Sequence, residues 1–328
     1  MAGDKYLKRS IDSASQAMLK RSEEECLETA WDRLEKQEPQ CGFGLLGICC
    51  RNCNMGPCRI DPFGNGPDKG VCGATADTIV ARNLLRAIAA GAAAHSDHGR
   101  DIVETLLHAA EGKAPDYEVK DEEKLQSLAA EMNVPVEGRA KEEIAADIAR
   151  KALDEFGTAK GNLEFMGRLP EQRKEVWSEA GIIPRGIDRE IVEIMHRTHI
   201  GVDTDYIHLI LQGLRASLSD GWGGSMWATE LSDVMFGTPR PLKGESNLGV
   251  LKENEVNIIV HGHEPTLSEM IVLAARDPEL LDMARAKGAD NINICGMCCT
   301  GNELLMRHEV PIAGNFLQQE LAVITGAV

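Results

Sequence analysis

Six of the ten cysteines fall at positions 41, 49, 50, 53, 58 and 72, and a further three stand at 295, 298 and 299. Thiols spaced this closely bind metal or exchange electrons. The run Cys50-x2-Cys53-x4-Cys58-x13-Cys72 can wrap one [4Fe-4S] cube: the seven Gly and three Pro between Cys41 and Gly73 bend the chain and bring backbone N–H groups near the sulfides. A four-thiolate zinc site would use the same residues. Cys41 and Cys49 lack a third and fourth partner in this sequence. Two chains could each supply such a pair to a shared cluster, which predicts a homodimer; the alternative is a pair of ordinary reduced thiols.

Other groups at chemically useful spacing are His95, His98, Asp101 and Glu104, one turn apart on an expected helix. They form either a proton route or a solvated polar stripe. Asp220, in Leu218-Ser219-Asp220-Gly221-Trp222, is an acid/base candidate or the cap of a turn. His261, His263, Cys295, Cys298 and Cys299 follow two expected strands, where open parallel sheets bind ligands, and pattern alone does not choose among them. His196 and His199, three residues apart, are read as polar helix residues because a third ligand is missing nearby.

The elements that must position these groups divide in two. Apolar spacing from Asp4 to Lys36 predicts a helix leading to the cysteine segment, and Ala74–Ala110 predicts another. Residues 121–218 predict several amphipathic helices broken at Gly and Pro. After residue 245 the texture changes. Val256–Val260 and Asn291–Ile294 predict buried strands alternating with helices, hence a parallel sheet. The expected fold is therefore a mainly α domain over 1–245, followed at 246–328 by the start of an α/β Rossmann-like domain. About three strands are few for such a sheet, so the chain is expected to be the N-terminal part of a longer polypeptide.

Composition narrows the function. With 35 basic and 52 acidic residues, a net charge of -17 disfavours nucleic acid and anionic membrane surfaces. The first residues have no apolar signal core, and no apolar run is long enough to span a bilayer. A cytoplasmic, reducing location is expected, where clustered cysteines are ligands rather than disulfides.

The runs CGFGLLGICCRNCNMGPCRIDPFG and GVCGATADTIVARN closely resemble the N-terminal segment of the catalytic subunit of anaerobic nickel-iron-sulfur carbon monoxide dehydrogenases. AAGAAAHSDHGRDI, SLSDGWGGSMWATEL, IIVHGHEPTLSEM and CGMCCTGNELLMRHEVP extend the resemblance over nearly the whole chain. It implies an internal [4Fe-4S] relay at Cys50, Cys53, Cys58 and Cys72, and half of an intersubunit [4Fe-4S] cluster at Cys41 and Cys49. It also implies that His263 and Cys299 bind the nickel-iron-sulfur active-site cluster, whose remaining ligands are expected beyond Val328. Cys298 matches a neighbouring cysteine that is not a regular ligand, and Cys295 is carried only as a thiol. His95 and Asp220 resemble the acid/base residues. Asp101 and Glu104 stand where the family tends to have histidines, which leaves the outer relay to carboxylates. The implied reaction is reversible oxidation of CO with water to CO2, with electrons passing to a ferredoxin-like acceptor; an acetyl-CoA synthase subunit is a further partner that the sequence leaves open. The rivals are a hybrid-cluster-type reductase, against which the Cys49-Cys50 doublet speaks, and a non-enzymatic iron-sulfur scaffold, which would hold no nickel.

Overall fold

The computed structural model describes residues 3–158, 160–263 and 265–328. They form two compact units, one built from the chain up to Glu38 together with Phe236–Val328, the other from Pro39–Met235. The first 38 residues, grouped above with the helical part, thus pack with the α/β segment. The reason is apolar: Leu19 is buried with Leu248, Val250, Met297, Ala313 and Leu321 in one core.

Where one N-terminal helix was expected, three short ones occur: α1 (Gly3–Arg9), α2 (Ser13–Glu24) and α3 (Ala30–Glu35). Polar caps interrupt the apolar periodicity. The Asp12 carboxylate accepts the Ala14 and Ser15 N–H groups at the start of α2, and Thr29 with Asp32 forms a reciprocal capping box at the start of α3.

The second unit opens with α4 (Gly42–Leu45) and a two-residue antiparallel pair, β1 (Cys49–Cys50) with β2 (Cys58–Arg59). The cysteine segment, expected to be irregular, therefore contains a short ladder in which Cys50 faces Cys58. There follow α5 (Ala76–Ala110), α6 (Glu122–Glu131), α7 (Lys141–Gly157), α8 (Glu171–Glu179), α9 (Ile187–Arg197) and α10 (Tyr206–Ser219). A π-helical turn, Asp220–Gly224, joins α10 to α11 (Ser225–Phe236). The 35-residue α5 is the axis of this unit, about 52 Å long at 1.5 Å per residue, and α7, α9 and α10 all pack on it. Its buried positions (Ile79, Arg82, Leu85, Ala89, Ala92, Ser96, Gly99) recur at helical spacing, and small residues there let the neighbours approach closely.

The chain then returns to the first unit with β3 (Val256–His261), α12 (Pro265–Ala275), α13 (Pro278–Ala286), β4 (Ile292–Met297), α14 (Cys298–His308), β5 (Ile312–Gly314) and α15 (Phe316–Ile324). The sheet is parallel, in the order β3-β4-β5. Cys298 and Cys299 stand at the start of α14, directly after β4. Among the described residues, no helix is long and apolar enough to cross a membrane.

The α3 cap is pH-dependent. Partial burial works against the Asp32 carboxylate, but the Thr29 N–H and hydroxyl and the Arg9 guanidinium outweigh it and hold its pKa at about 2. Because the folded value lies below the ordinary carboxylate value of 3.8, the stabilisation is complete above that pH and is lost as pH falls through about 2. Asp32→Asn should cost about 0.5–2 kcal/mol at neutral pH. In urea titrations the difference from the parent should shrink between pH 4 and pH 2.

Candidate metal centre

In the second unit the β1–β2 pair sets Cys50 beside Cys58, and the loop between them returns through Gly56. A Cβ at Gly56 would lie 3.0 Å from the Cys50 carbonyl oxygen, so a larger residue would have to push the strand backbone aside by a few tenths of an ångström. Cys50, Cys53, Cys58 and Cys72 all line one small cavity of about 10 Å³, together with Asn52 and Arg82. Sequence spacing thus becomes spatial convergence. Among the described residues, no three His, Cys, Asp or Glu side chains share a point suited to a single metal ion. The four cysteines line a shared space instead, an arrangement compatible with a polynuclear cluster.

The cavity is also supplied with donors. Val71 N–H and Arg82 Nη1 reach Cys58 Sγ and Cys72 Sγ, each at 3.5 Å. Asn52 Nδ2 and Arg82 Nε are buried and have no hydrogen-bond partner among the described residues. Buried donors left in this state cost free energy unless a ligand accepts from them, and the sulfides of a cluster are such acceptors. Burial opposes ionisation of Cys72, yet Arg82 and the Ala74 N–H hold its thiol below the ordinary value. These observations fit a [4Fe-4S] group.

Cys41 is exposed at the start of α4, where the Gly44 and Phe43 N–H groups lower its pKa. Half-buried Cys49 sits in β1, and Asn83 of α5 donates to the Gly47 and Cys49 carbonyls at 2.8 and 3.2 Å. Leu45, Leu46 and Phe63 are exposed in the same segment.

Further along α5, His95 Nδ1 lies 2.7 Å from Asp220 Oδ1. The two residues, 125 positions apart, are brought together by the π-helical turn. Ser225 Oγ completes the group, 3.1 Å from His95 Nδ1 and 3.3 Å from Asp220 Oδ1. The approach depends on small residues: a Cβ at Gly99 would sit 2.6 Å from the Gly224 carbonyl oxygen. His98 is partly buried, whereas Asp101 and Glu104 are exposed, so this row of ionisable groups runs outward along α5.

His263 and Cys299 lie in the first unit, after β3 and at the start of α14. Their loops are tied by the Thr300 N–H, which donates to the Gly262 carbonyl at 3.0 Å. Cys298 adopts a left-handed φ of 56°, a conformation that costs a non-glycine residue energy and marks a constrained turn. Cys299 is exposed overall, yet partial burial of its thiol, then the nearby Cys298 and Glu303, raise its pKa. Cys295 is fully buried and its thiol is pushed up to about 11, which makes it a core residue. Exposed Cys26 has a φ of 57° in the turn after α2.

Arg82, Asn52 and Ser225 were not singled out by sequence reasoning, whereas His199 was read as a polar helix residue. His199 follows α9 rather than lying on it, and its Nδ1 is 3.1 Å from the Asn52 carbonyl. Only Arg82 carried a readable signal, an arginine on the otherwise apolar stripe of α5.

Gly99→Ala should force α5 and the π-helical turn apart, costing about 1–3 kcal/mol. Urea unfolding should show a lower midpoint. An unchanged midpoint would refute the close packing described here.

Residues 48–328 match the Prismane/CO dehydrogenase family. The chain is 67% identical over 320 residues to carbon monoxide dehydrogenase 1 of Methanosarcina acetivorans, covering 98% of this chain and 51% of that protein. It is 45% identical over 323 residues to the carbon monoxide dehydrogenase/acetyl-CoA synthase subunit beta of Moorella thermoacetica, covering 98% and 48%. The crystal structure of Ni-free carbon monoxide dehydrogenase from Thermococcus sp. AM4 superposes with a TM-score of 0.93 at 58% identity, covering 97% of this chain and 51% of that one. The chain spans about half the length of the curated relatives it matches. On this evidence the chain belongs to the Prismane/CO dehydrogenase family.

Proposed function

We propose that the chain carries the electron-relay clusters and part of the active site of an anaerobic carbon monoxide dehydrogenase, catalysing CO + H2O ⇌ CO2 + 2H⁺ + 2e⁻. The observation that carries this reading is the convergence of Cys50, Cys53, Cys58 and Cys72 on one cavity that also holds unpartnered buried donors. In it the four thiolates hold an internal [4Fe-4S] cluster. Cys41 and Cys49, exposed and half-buried beside apolar Leu45 and Leu46, contribute half of a second [4Fe-4S] cluster shared with another copy of the chain in a homodimer. His263 and Cys299, tied through Thr300 and Gly262, would bind the nickel-iron-sulfur cluster, with the other ligands coming from elsewhere in the whole protein. When bound, that cluster supplies the redox centre at which CO and CO2 interconvert. We read β3-β4-β5 as part of a Rossmann-like sheet.

The residues of this chain handle the protons. With Nδ1–H donated to Asp220, His95 has Nε2 as its basic nitrogen, and the carboxylate stabilises the imidazolium that forms when it takes up a proton. Ser225 fixes the ring and carboxylate together. His98, Asp101 and Glu104 then lead a proton outward along α5, from partly buried to exposed positions. Electrons leave to a ferredoxin-like carrier, and the Moorella relative supports an acetyl-CoA synthase subunit as a further partner. A cytoplasmic location suits ten cysteines that are all free of disulfides.

Two measurements test this. The 328-residue chain, produced anaerobically, should contain about six Fe, four from the internal cube and two from the shared one, without nickel. Cys72→Ser should remove most of the internal four. Zinc in place of iron would overturn the reading. In the whole protein, His95→Gln or Asp220→Asn should lower kcat for CO oxidation by about 10²–10⁴-fold while leaving iron content intact. Full activity in both variants would remove them from the proton path.

A further inference from the structure

Arg82 is one of the largest fully buried side chains in the protein, 1% exposed on the apolar face of α5. Nη2 donates to the Asp203 carbonyl at 2.7 Å, Nη1 reaches Cys72 Sγ at 3.5 Å, and Nε has no partner. Among the described residues it forms no ion pair. Other arginines of this unit behave differently: Arg185 bonds Glu190 and Glu193, Arg197 bonds Glu193, and Arg168 bonds Glu131 and Glu230. A buried guanidinium without a carboxylate is strongly disfavoured unless something anionic occupies the space it lines. Asn52 Nδ2, buried and unpartnered, lines the same cavity.

We propose that Arg82, with Asn52 as a weaker neutral donor, raises the reduction potential of the cluster held by Cys50, Cys53, Cys58 and Cys72. This rests on the [4Fe-4S] reading of that cavity. Reduction adds one electron to a cluster that is already anionic. A fixed positive charge at the cavity wall stabilises the reduced form more than the oxidised one, and an N–H donated to sulfur acts in the same direction. Because arginine does not deprotonate in proteins, the effect is constant with pH. A relay placed in a chain of net charge -17 would otherwise be pushed toward low potential by its surroundings.

The test is an EPR-monitored redox titration of the 328-residue chain carrying Cys41→Ser and Cys49→Ser, so that only this cluster forms. Arg82→Met should disfavour reduction on the order of tenfold, which corresponds to about 59 mV for a one-electron couple. Arg82→Lys disrupts the same fork but keeps the charge, and should retain most of the parent potential. Asn52→Ala should give a smaller shift in the negative direction. A purely structural role for Arg82 would make Lys and Met equivalent, and that result, or an unshifted Met variant, overturns the proposal. Should Arg82→Met fail to assemble a cluster, Asn52→Ala decides: an unshifted potential overturns it. Absence of a [4Fe-4S] signal in the Cys41→Ser, Cys49→Ser chain itself, with Arg82 and Asn52 intact, would bring down the four-cysteine reading and this inference together. A normal signal with unmoved potentials removes only the role of Arg82.

Discussion

The helical unit depends on one constraint, that α5 runs unbroken for 35 residues while different turns of it serve different sites. Arg82 faces the cysteine cavity, Asn83 ties the carbonyls of the cysteine segment, His95 meets Asp220, and Gly99 admits the π-helical turn. Thirteen residues separate Arg82 from His95, which at 1.5 Å per residue is about 20 Å along the axis. The helix therefore sets the distance between the sulfur-lined cavity and the acid/base pair. A break in it would uncouple the two. Thr75 caps its start, and its Ala-rich interior has high helix propensity.

Close packing on α5 comes from small residues rather than from large apolar ones. Gly99 and Gly224 let backbone meet backbone, and Gly213 of α10 lies against Leu85 and Ile88, where a Cβ would come within 3.0 Å. This is how a chain with few aromatics builds a dense interior. The same device recurs in the α/β unit, where Gly296 of β4 and Gly301 of α14 touch closely enough that neither has room for a Cβ. That contact presses the cysteine-bearing first turn of α14 onto the sheet.

Charge is handled in two ways. Buried carboxylates of the helical unit are answered by arginines, as at Glu190, which is fully buried and accepts from Arg185 and Gln212. Glu155 instead accepts from the Trp227 indole and the Glu164 N–H; burial dominates and raises its pKa. Arg82 follows neither pattern, its charge facing sulfur. Structural pairs neutralise one another inside the protein, whereas Arg82 among the described residues has a cysteine sulfur and a backbone carbonyl as its neighbours.

Much of this could be read before any coordinates. Local features were legible because they depend on neighbours in sequence: the long helix from its Ala-rich periodicity, the alternation of strands and helices after residue 245, and the ligand-like spacing of Cys50, Cys53, Cys58 and Cys72. The N-terminal break into three helices was missed because the caps at Asp12 and Thr29 compete with an otherwise continuous apolar pattern. The placement of the first 38 residues against the sheet was missed because Leu19 finds its partners more than two hundred residues away. By itself, then, the sequence determined which residue types were available at which local spacing, since covalent geometry and helical periodicity hold wherever a segment folds. Only the tertiary structure decided that His95 meets Asp220 across 125 residues, that Ser225 joins them, and that Arg82 reaches the sulfur-lined cavity. Those contacts arise from packing between distant segments, and local periodicity carries no record of which distant surface a face will meet.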